Sequence, residues 1–371
     1  MAITEQQEAL KKAIEELLDN SALDTVVGCA VPITDQTHPR TALLHVKFNE
    51  DKPQVNALAR FLWNQSVNYA LSRRRRLAFR KALENADPAD MSSIPDLLRT
   101  VRDVFIEFRK ANPSRASEVG EVLAYCVTLH HLKAAQMAAK MSLKTSPNMP
   151  VHGLDGIHAI FETGALTIYF LESKLAGDAN DGARDYADSV AGFLKNEKQY
   201  LREYELVGDL GNLDALQGEA RDLALQHFDV VGKPDIPRRE RSVGVICYSE
   251  KKHFANIIPV ADGPVDVHEK HFTTNFAQEH SSLQQAVSKH LKERGADPNK
   301  CLVFFVAVPD VIVLRENFYA AMGISDVQPM PDKPKRKVTT KPKTRSSTST
   351  KQTSKAKNPV KSKTKPGGNS R

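Results

Sequence analysis

The chain has 371 residues, 41% hydrophobic and 26% charged, enough for one large or two ordinary domains with a sizeable core. No run approaches the roughly 20 apolar residues of a membrane span. An N-terminus carrying Glu5, Glu8, Glu15 and Glu16 is no signal peptide, so a soluble, cytoplasmic protein without membrane contact is expected.

The net charge of +7 averages two unlike parts. Asp332 to Arg371 holds eleven Lys, three Arg and one Asp, whereas positions 1–331 carry 38 basic against 44 acidic residues. Cys29, Cys126, Cys247 and Cys301 are scattered through apolar runs with no CxxC pair, which points to reduced core thiols rather than zinc ligands.

In chain order, residues 4–19 read as an amphipathic helix with Leu10, Ile14, Leu17 and Leu18 on one side. Two apolar strands are expected over Thr25 to Ile33 and Thr41 to Phe48, separated by a turn containing Pro32 and Pro39. A long helix follows from Pro53 to about Glu84, with Leu58, Phe61, Leu62, Val67 and Leu71 as its stripe. Arg73 to Arg76 sweep most of the way round that helix, so they cannot all face one ligand and read as a solvated or partner-facing surface. Asp96 to Lys110 is helical and is broken by Asn112-Pro113-Ser114, which sets an expected boundary between an N-terminal α/β portion (1–112) and a core (113–325).

A helix from Glu118 to Met141 opens on Ser117 as N-cap and carries Glu121 in its first turns, where the helix dipole favours a carboxylate whatever else it does. Further on, Asp178 to Tyr204, Leu213 to His227 and Ser281 to Arg294 read as helices, and Val243 to Tyr248 and Cys301 to Val308 as strands. Strands interleaved with helices predict an α/β core whose mixed central sheet is covered by helices on both faces. Residues 326–371 have almost no apolar side chains and are expected to be a disordered Lys/Ser/Thr/Pro tail that can hold phosphate backbones without reading sequence.

The densest chemical signal is one hairpin, His152 to Phe161 followed by Leu166 to Lys174. If Thr163-Gly164 is a two-residue turn, Glu162 faces Ala165 and Asp155 falls opposite Glu172. Two carboxylates on a cross-strand pair repel, so the arrangement calls for a cation, with a divalent metal the natural candidate. Period-two alternation puts Lys174 on the Glu172 face with Phe170, Ile168 and Leu166, and puts Tyr169, Leu171 and Ser173 on the other. A loop one residue longer would move Asp155 to the opposite face. His158 points away from Asp155 and reads as a packing residue. A competing pattern, Pro234-Asp235 with Glu250-Lys251-Lys252 and Glu219 on the preceding helix, has Pro237, Arg238, Arg239 and Arg241 where a paired strand should be apolar, and is set aside.

The order Glu121 on a helix, Asp155 on a strand and Glu172-Ser173-Lys174 on the next strand resembles the restriction-endonuclease-like, or PD-(D/E)xK, nuclease superfamily. As a linked series, Gly120-Glu121-Val-Leu-Ala-Tyr125, Ser142-Leu-Lys144, Gly153-Leu-Asp155-Gly-Ile-His158 and Leu171-Glu172-Ser-Lys174-Leu175 look like the HamA family, the nuclease subunit of the Hachiman anti-phage defence system, over roughly Ser117 to Val308. The chain departs from the superfamily pattern in having no Pro before the Leu-Asp155-Gly156 segment, and the basic tail is not part of the family pattern.

The resemblance implies a partner helicase, HamB, and degradation of DNA with little sequence preference. By residue type, Asp155 and Glu172, with Glu121 completing or extending the set, would ligate Mg²⁺, or Mn²⁺ in its place, and Lys174 would orient or help deprotonate the attacking water. Two other readings use the same residues differently: an inactive nuclease-fold module that docks a helicase and tethers DNA through its tail, and an architectural DNA binder dominated by the tail. The acidic balance of the folded portion speaks against the last.

Overall fold

The computed structural model describes residues 4–34, 37–87, 89–90, 92–111, 118–141, 153–210 and 212–324. The tail from 326, Ser142 to Lys144, the Ser117 cap and the Asn112 to Ser114 break lie outside the described residues.

The elements run α1 (Glu5–Glu16), β1 (Val27–Val31), β2 (Arg40–Val46), β3 (Phe48–Asn49), β4 (Lys52–Pro53), α2 (Val55–Ala70), α3 (Arg73–Glu84), α4 (Ser93–Ala111), α5 (Glu118–Leu132), β5 (Ala135–Gln136), β6 (Gly156–Glu162), β7 (Ala165–Ala176), α6 (Ala179–Leu194), α7 (Glu197–Leu210), α8 (Gly218–Phe228), β8 (Arg238–Ser249), α9 (Val267–Ala277), α10 (His280–Glu293), β9 (Cys301–Val308) and α11 (Val311–Ala321). Seven strands form one mixed sheet in the order β1-β2-β9-β8-β7-β6-β5. The central β2, β9, β8 and β7 are parallel, and the margins are antiparallel.

Both faces of this sheet are covered, which is why β9 is buried at every position and reads as an unbroken apolar run. On one face, Tyr169, Leu171, Val243, Val245 and Phe304 pack against α2, α5 and α11 through Leu58, Leu62, Val122, Cys126 and Phe318. On the other, Ile246, Val303 and Phe305 meet α6, α9 and α10 through Ala183, Tyr186, Phe272 and Leu291. Towards the β6 end of the sheet, Ile157, Phe161, Leu166, Ile168 and Phe170 are closed over by α1, α7 and α8. The mixed α/β architecture is the expected one.

The expected boundary near residue 112 separates no second core: β1 and β2 are strands of the same sheet, with β2 paired to β9 along Arg40–His45. Three helices are shorter than their hydrophobic stripes implied. The helix expected over 53–84 breaks at Leu71, which is extended (φ −103°, ψ 136°), because Ser72 caps α3 and Asn212 takes the Arg73 N–H at 2.8 Å. The one expected to Met141 stops at Leu132, before Lys133 with φ 51°. The one expected over 178–204 is two helices, α7 being started by Asn196, whose side chain accepts from the Gln199 N–H at 3.1 Å. The helices α9 and α11 were not anticipated.

Arg73 and Arg76 do not face solvent as a patch: both grip Asp19, at 3.2 and 2.8 Å. Among the cysteines, Cys126, Cys247 and Cys301 are buried and Cys29 is exposed. No described helix is long and apolar enough to cross a membrane.

The β6–β7 hairpin keeps the register read from the sequence, from Glu162↔Ala165 out to Gly156↔Leu171. Its turn residues Thr163 and Gly164 both have positive φ, 47° and 75°, the geometry of the two-residue turn that matches strand twist. A Cβ at Gly164 would meet nothing within 4 Å, so only the backbone resists a side chain there. Gly164→Ala should therefore cost about 1 kcal/mol in urea unfolding. A neutral result would show that the turn does not hold the register.

Candidate functional site

The site grows from where the hairpin pairing ends. The ladder stops at Gly156, yet β7 continues to Ala176 and turns a backbone N–H at Ser173 towards the vacated edge. Asp155 fills that edge: its own N–H donates to the Leu171 carbonyl at 2.8 Å, and its carboxylate accepts from the Ser173 N–H at 2.7 Å and the Ser173 hydroxyl at 2.6 Å. This corrects one expectation. Asp155 is level with Glu172, but its carboxylate is directed to Ser173, which the alternation had put on the far face.

Glu172 and Lys174 lie together as expected, in a direct ion pair between their side chains. Helix α6 backs them, with Ser189 hydrogen-bonding the Glu172 carboxylate and Asp185 contributing its charge near Lys174. Burial, then the charge of Asp155, pushes the Glu172 carboxyl up to about 7, against the opposing pull of Lys174 and Ser189. Burial alone would pull the Lys174 ammonium down, but the Glu172 and Asp155 carboxylates outweigh it and the net shift is upward.

Glu121 is a nearly buried carboxylate on α5 whose Oε2 accepts from the Tyr69 hydroxyl at 2.5 Å. Tyr69 is pushed well above its ordinary range by burial and by the charges of Glu121 and Asp155. One α-helical turn back on α5, Glu118 accepts from the Tyr319 hydroxyl at 2.7 Å. The structure thus gathers Glu172 and Lys174 in contact, puts Asp155 close enough to shift both, and holds Glu121 on a tyrosine.

His158 is a packing residue: fully buried, Nδ1 bonded to the Ala134 carbonyl at 3.0 Å, and lowered by burial to about 4. The competing acid pattern does not assemble. Asp235 is exposed ahead of β8, while Glu250 caps the backbone just after it, accepting from the N–H groups of Lys252 (3.1 Å) and His253 (2.7 Å).

Ser173, Ser189, Asp185 and Tyr69 were not anticipated. Asp185 and Ser189 carried a signal, as polar residues at helical spacing beside the stripe Ala183, Tyr186, Ala187 and Val190. Tyr69 carried none, since it closes an ordinary apolar stripe.

Among the described residues, no group of three or more His, Cys, Asp or Glu side chains stands in an arrangement that could hold a metal ion. The donor chemistry nonetheless fits a hard divalent cation held by two carboxylates with water completing the shell. Asp155 and Glu172 are oxygen donors whose mutual repulsion is felt in the raised Glu172 carboxyl, and a cation between them would relieve it.

A mixed α/β protein with a paired Glu and Lys two residues apart, level with a strand-end Asp, is the class that fold and site define. The profile of the HamA family matches residues 14–322, and the chain belongs to that family. It is thereby a protein associated with Hachiman defence. Searches of curated proteins and of solved structures return no match.

The raised Glu172 carboxyl has a consequence for stability without divalent ions. Below pH 4.5 the group is neutral folded and unfolded; between 4.5 and about 7 only the unfolded chain ionises, so stability falls as pH rises and then levels off. Urea unfolding in EDTA should show Glu172→Gln losing this decline, a difference on the order of 3 kcal/mol between pH 4.5 and 8. Parallel curves for the two proteins would contradict the buried-charge account.

Proposed function

We propose that this protein is a metal-dependent DNA nuclease that hydrolyses phosphodiester bonds with little sequence preference, acting with a helicase partner in anti-phage defence. The observation that carries this reading is the Glu172–Lys174 pair with Asp155 close enough to perturb both. Membership of the HamA family supports the defence setting. The resemblance of the Asp155, Glu172 and Lys174 positions to the nuclease motif supports the chemistry.

In this reading Asp155 and Glu172 would hold Mg²⁺ or Mn²⁺, which when bound would supply a water of lowered pKa and positive charge next to the phosphate. The Glu172 and Asp155 carboxylates raise the Lys174 ammonium in the metal-free protein, and in this reading Lys174 would supply positive charge beside the phosphate. Ser173 anchors Asp155 through two hydrogen bonds, and Ser189 restrains Glu172. Glu121 acts through Tyr69 to hold the acidic side of the site rather than as a direct ligand. The Lys-rich tail adds affinity for phosphate backbones.

A second reading, a catalytically inactive module that docks a helicase and tethers DNA, is favoured by the Glu121 carboxylate being engaged by Tyr69. Plasmid degradation by the purified chain with its helicase separates the two. A nuclease loses cleavage by about two orders of magnitude or more in Glu172→Gln and Lys174→Ala while retaining helicase and DNA binding. Undiminished cleavage in both variants, or none from the native complex with Mg²⁺ or Mn²⁺, rejects the nuclease. Removing residues 332–371 should weaken DNA binding at low salt and flatten its salt dependence, leaving cleavage at saturating DNA unchanged. An unaltered salt slope would assign DNA contact to the folded body.

A further inference from the structure

A salt bridge joins Lys140, which follows β5, to Glu203, in the middle of α7, with side chains 0% and 2% exposed. Both residues converge on the two residues that precede Asp155. Lys140 Nζ donates to the Leu154 carbonyl at 2.7 Å, and the Leu154 N–H donates to the Glu203 carboxylate. The Glu203 carboxylate also occupies the space beside Gly153, where an added Cβ would come within 2.1 Å of Oε1.

Such a pair is not explained by stability. Desolvating each ion costs several kcal/mol, and an apolar pair of similar volume often packs as stably or better. An apolar pair could not, however, bond both polar groups of the Leu154 backbone. Leu154 is 3% exposed and lies outside the ladder, which begins at Gly156, so its N–H and C=O have no strand partners. The ion pair meets both demands at once, one charge for each group.

We propose that the Lys140–Glu203 ion pair is a positioning device that grips the Leu154 backbone from both sides and thereby aims the Asp155 carboxylate. Its functional weight rests on the reading of Asp155 as a site carboxylate given above. Rigidity passes through a single peptide unit: with Leu154 held, the Asp155 N–H stays on Leu171 and its side chain stays within reach of Ser173 and the Glu172–Lys174 pair.

The Ser173 amide reports the outcome directly, because its N–H donates to the Asp155 side chain. Residue-resolved hydrogen exchange is measured on the full chain, with the Val245 amide in the centre of the sheet as internal reference. Two variants are used: K140M/E203L removes both charges, and Gly153→Ala keeps both but displaces the Glu203 carboxylate. The Ser173-to-Val245 ratio of exchange rates should rise at least about tenfold in each, and the same rise is expected in Asp155→Ala, which removes the acceptor itself. An unchanged ratio in either variant overturns the proposal, including when the whole protein is loosened, since global opening moves both amides together.

In parallel, the Mn²⁺ concentration for half-maximal DNA cleavage should rise about 10–100-fold in both variants, with the rate at saturating Mn²⁺ less affected. A native protein that shows no metal-dependent cleavage refutes the nuclease reading, while the exchange ratio still decides the clamp.

Discussion

The candidate site depends on the register of one antiparallel hairpin. The two positive-φ residues Thr163 and Gly164 reverse the chain with no slack, so Glu162 meets Ala165 and every later pairing follows in step. Side chains alternate with period two, so a slip of one residue would turn Leu166, Ile168 and Phe170 out of their core and carry Glu172 and Lys174 to the other face. The apolar residues therefore enforce the position of the polar ones. Where the pairing ends, the unpartnered Ser173 N–H gives Asp155 a place to bind, and the site begins there.

Electrostatically the centre of the region is Asp155. Its charge is felt at Glu172, Lys174, Tyr69 and Glu203, four groups carried by three elements, β7, α2 and α7. The other acids are treated differently. Glu118 and Glu121 are engaged by the neutral hydroxyls of Tyr319 and Tyr69, whereas Glu172 and Glu203 are each paired with a lysine. Neutral donors hold a carboxylate in place without cancelling its charge; ammonium groups cancel it.

How far the site could be read in advance differs from residue to residue. The Glu172–Lys174 pair follows from alternation along one strand, a local property. The direction of Asp155 does not, because it sits one residue beyond the last paired position, where pleat alternation no longer governs the side chain. The same limit explains the helix errors. Leu71 belongs to a continuous stripe, but the break after it is made by Asn212, about 140 residues away in sequence, bonding the Arg73 N–H. The arginine run likewise reads as a surface until Asp19 is brought against Arg73 and Arg76.

By itself, then, the amino-acid sequence determined the mixed α/β class, the hairpin and its register, the face shared by Glu172 and Lys174, and the likeness to one family of defence proteins. These rest on short-range periodicity, turn stereochemistry and residue type, which neighbours in the chain suffice to specify. Only the tertiary structure decided that β1 and β2 complete the sheet beside β9, that Asp155 turns to Ser173, and that Glu121 is met by Tyr69. It alone also brought Lys140 and Glu203 together around Leu154. Those arrangements join groups far apart in the chain through burial and hydrogen bonding, and no local pattern encodes which distant partner will satisfy a buried polar atom.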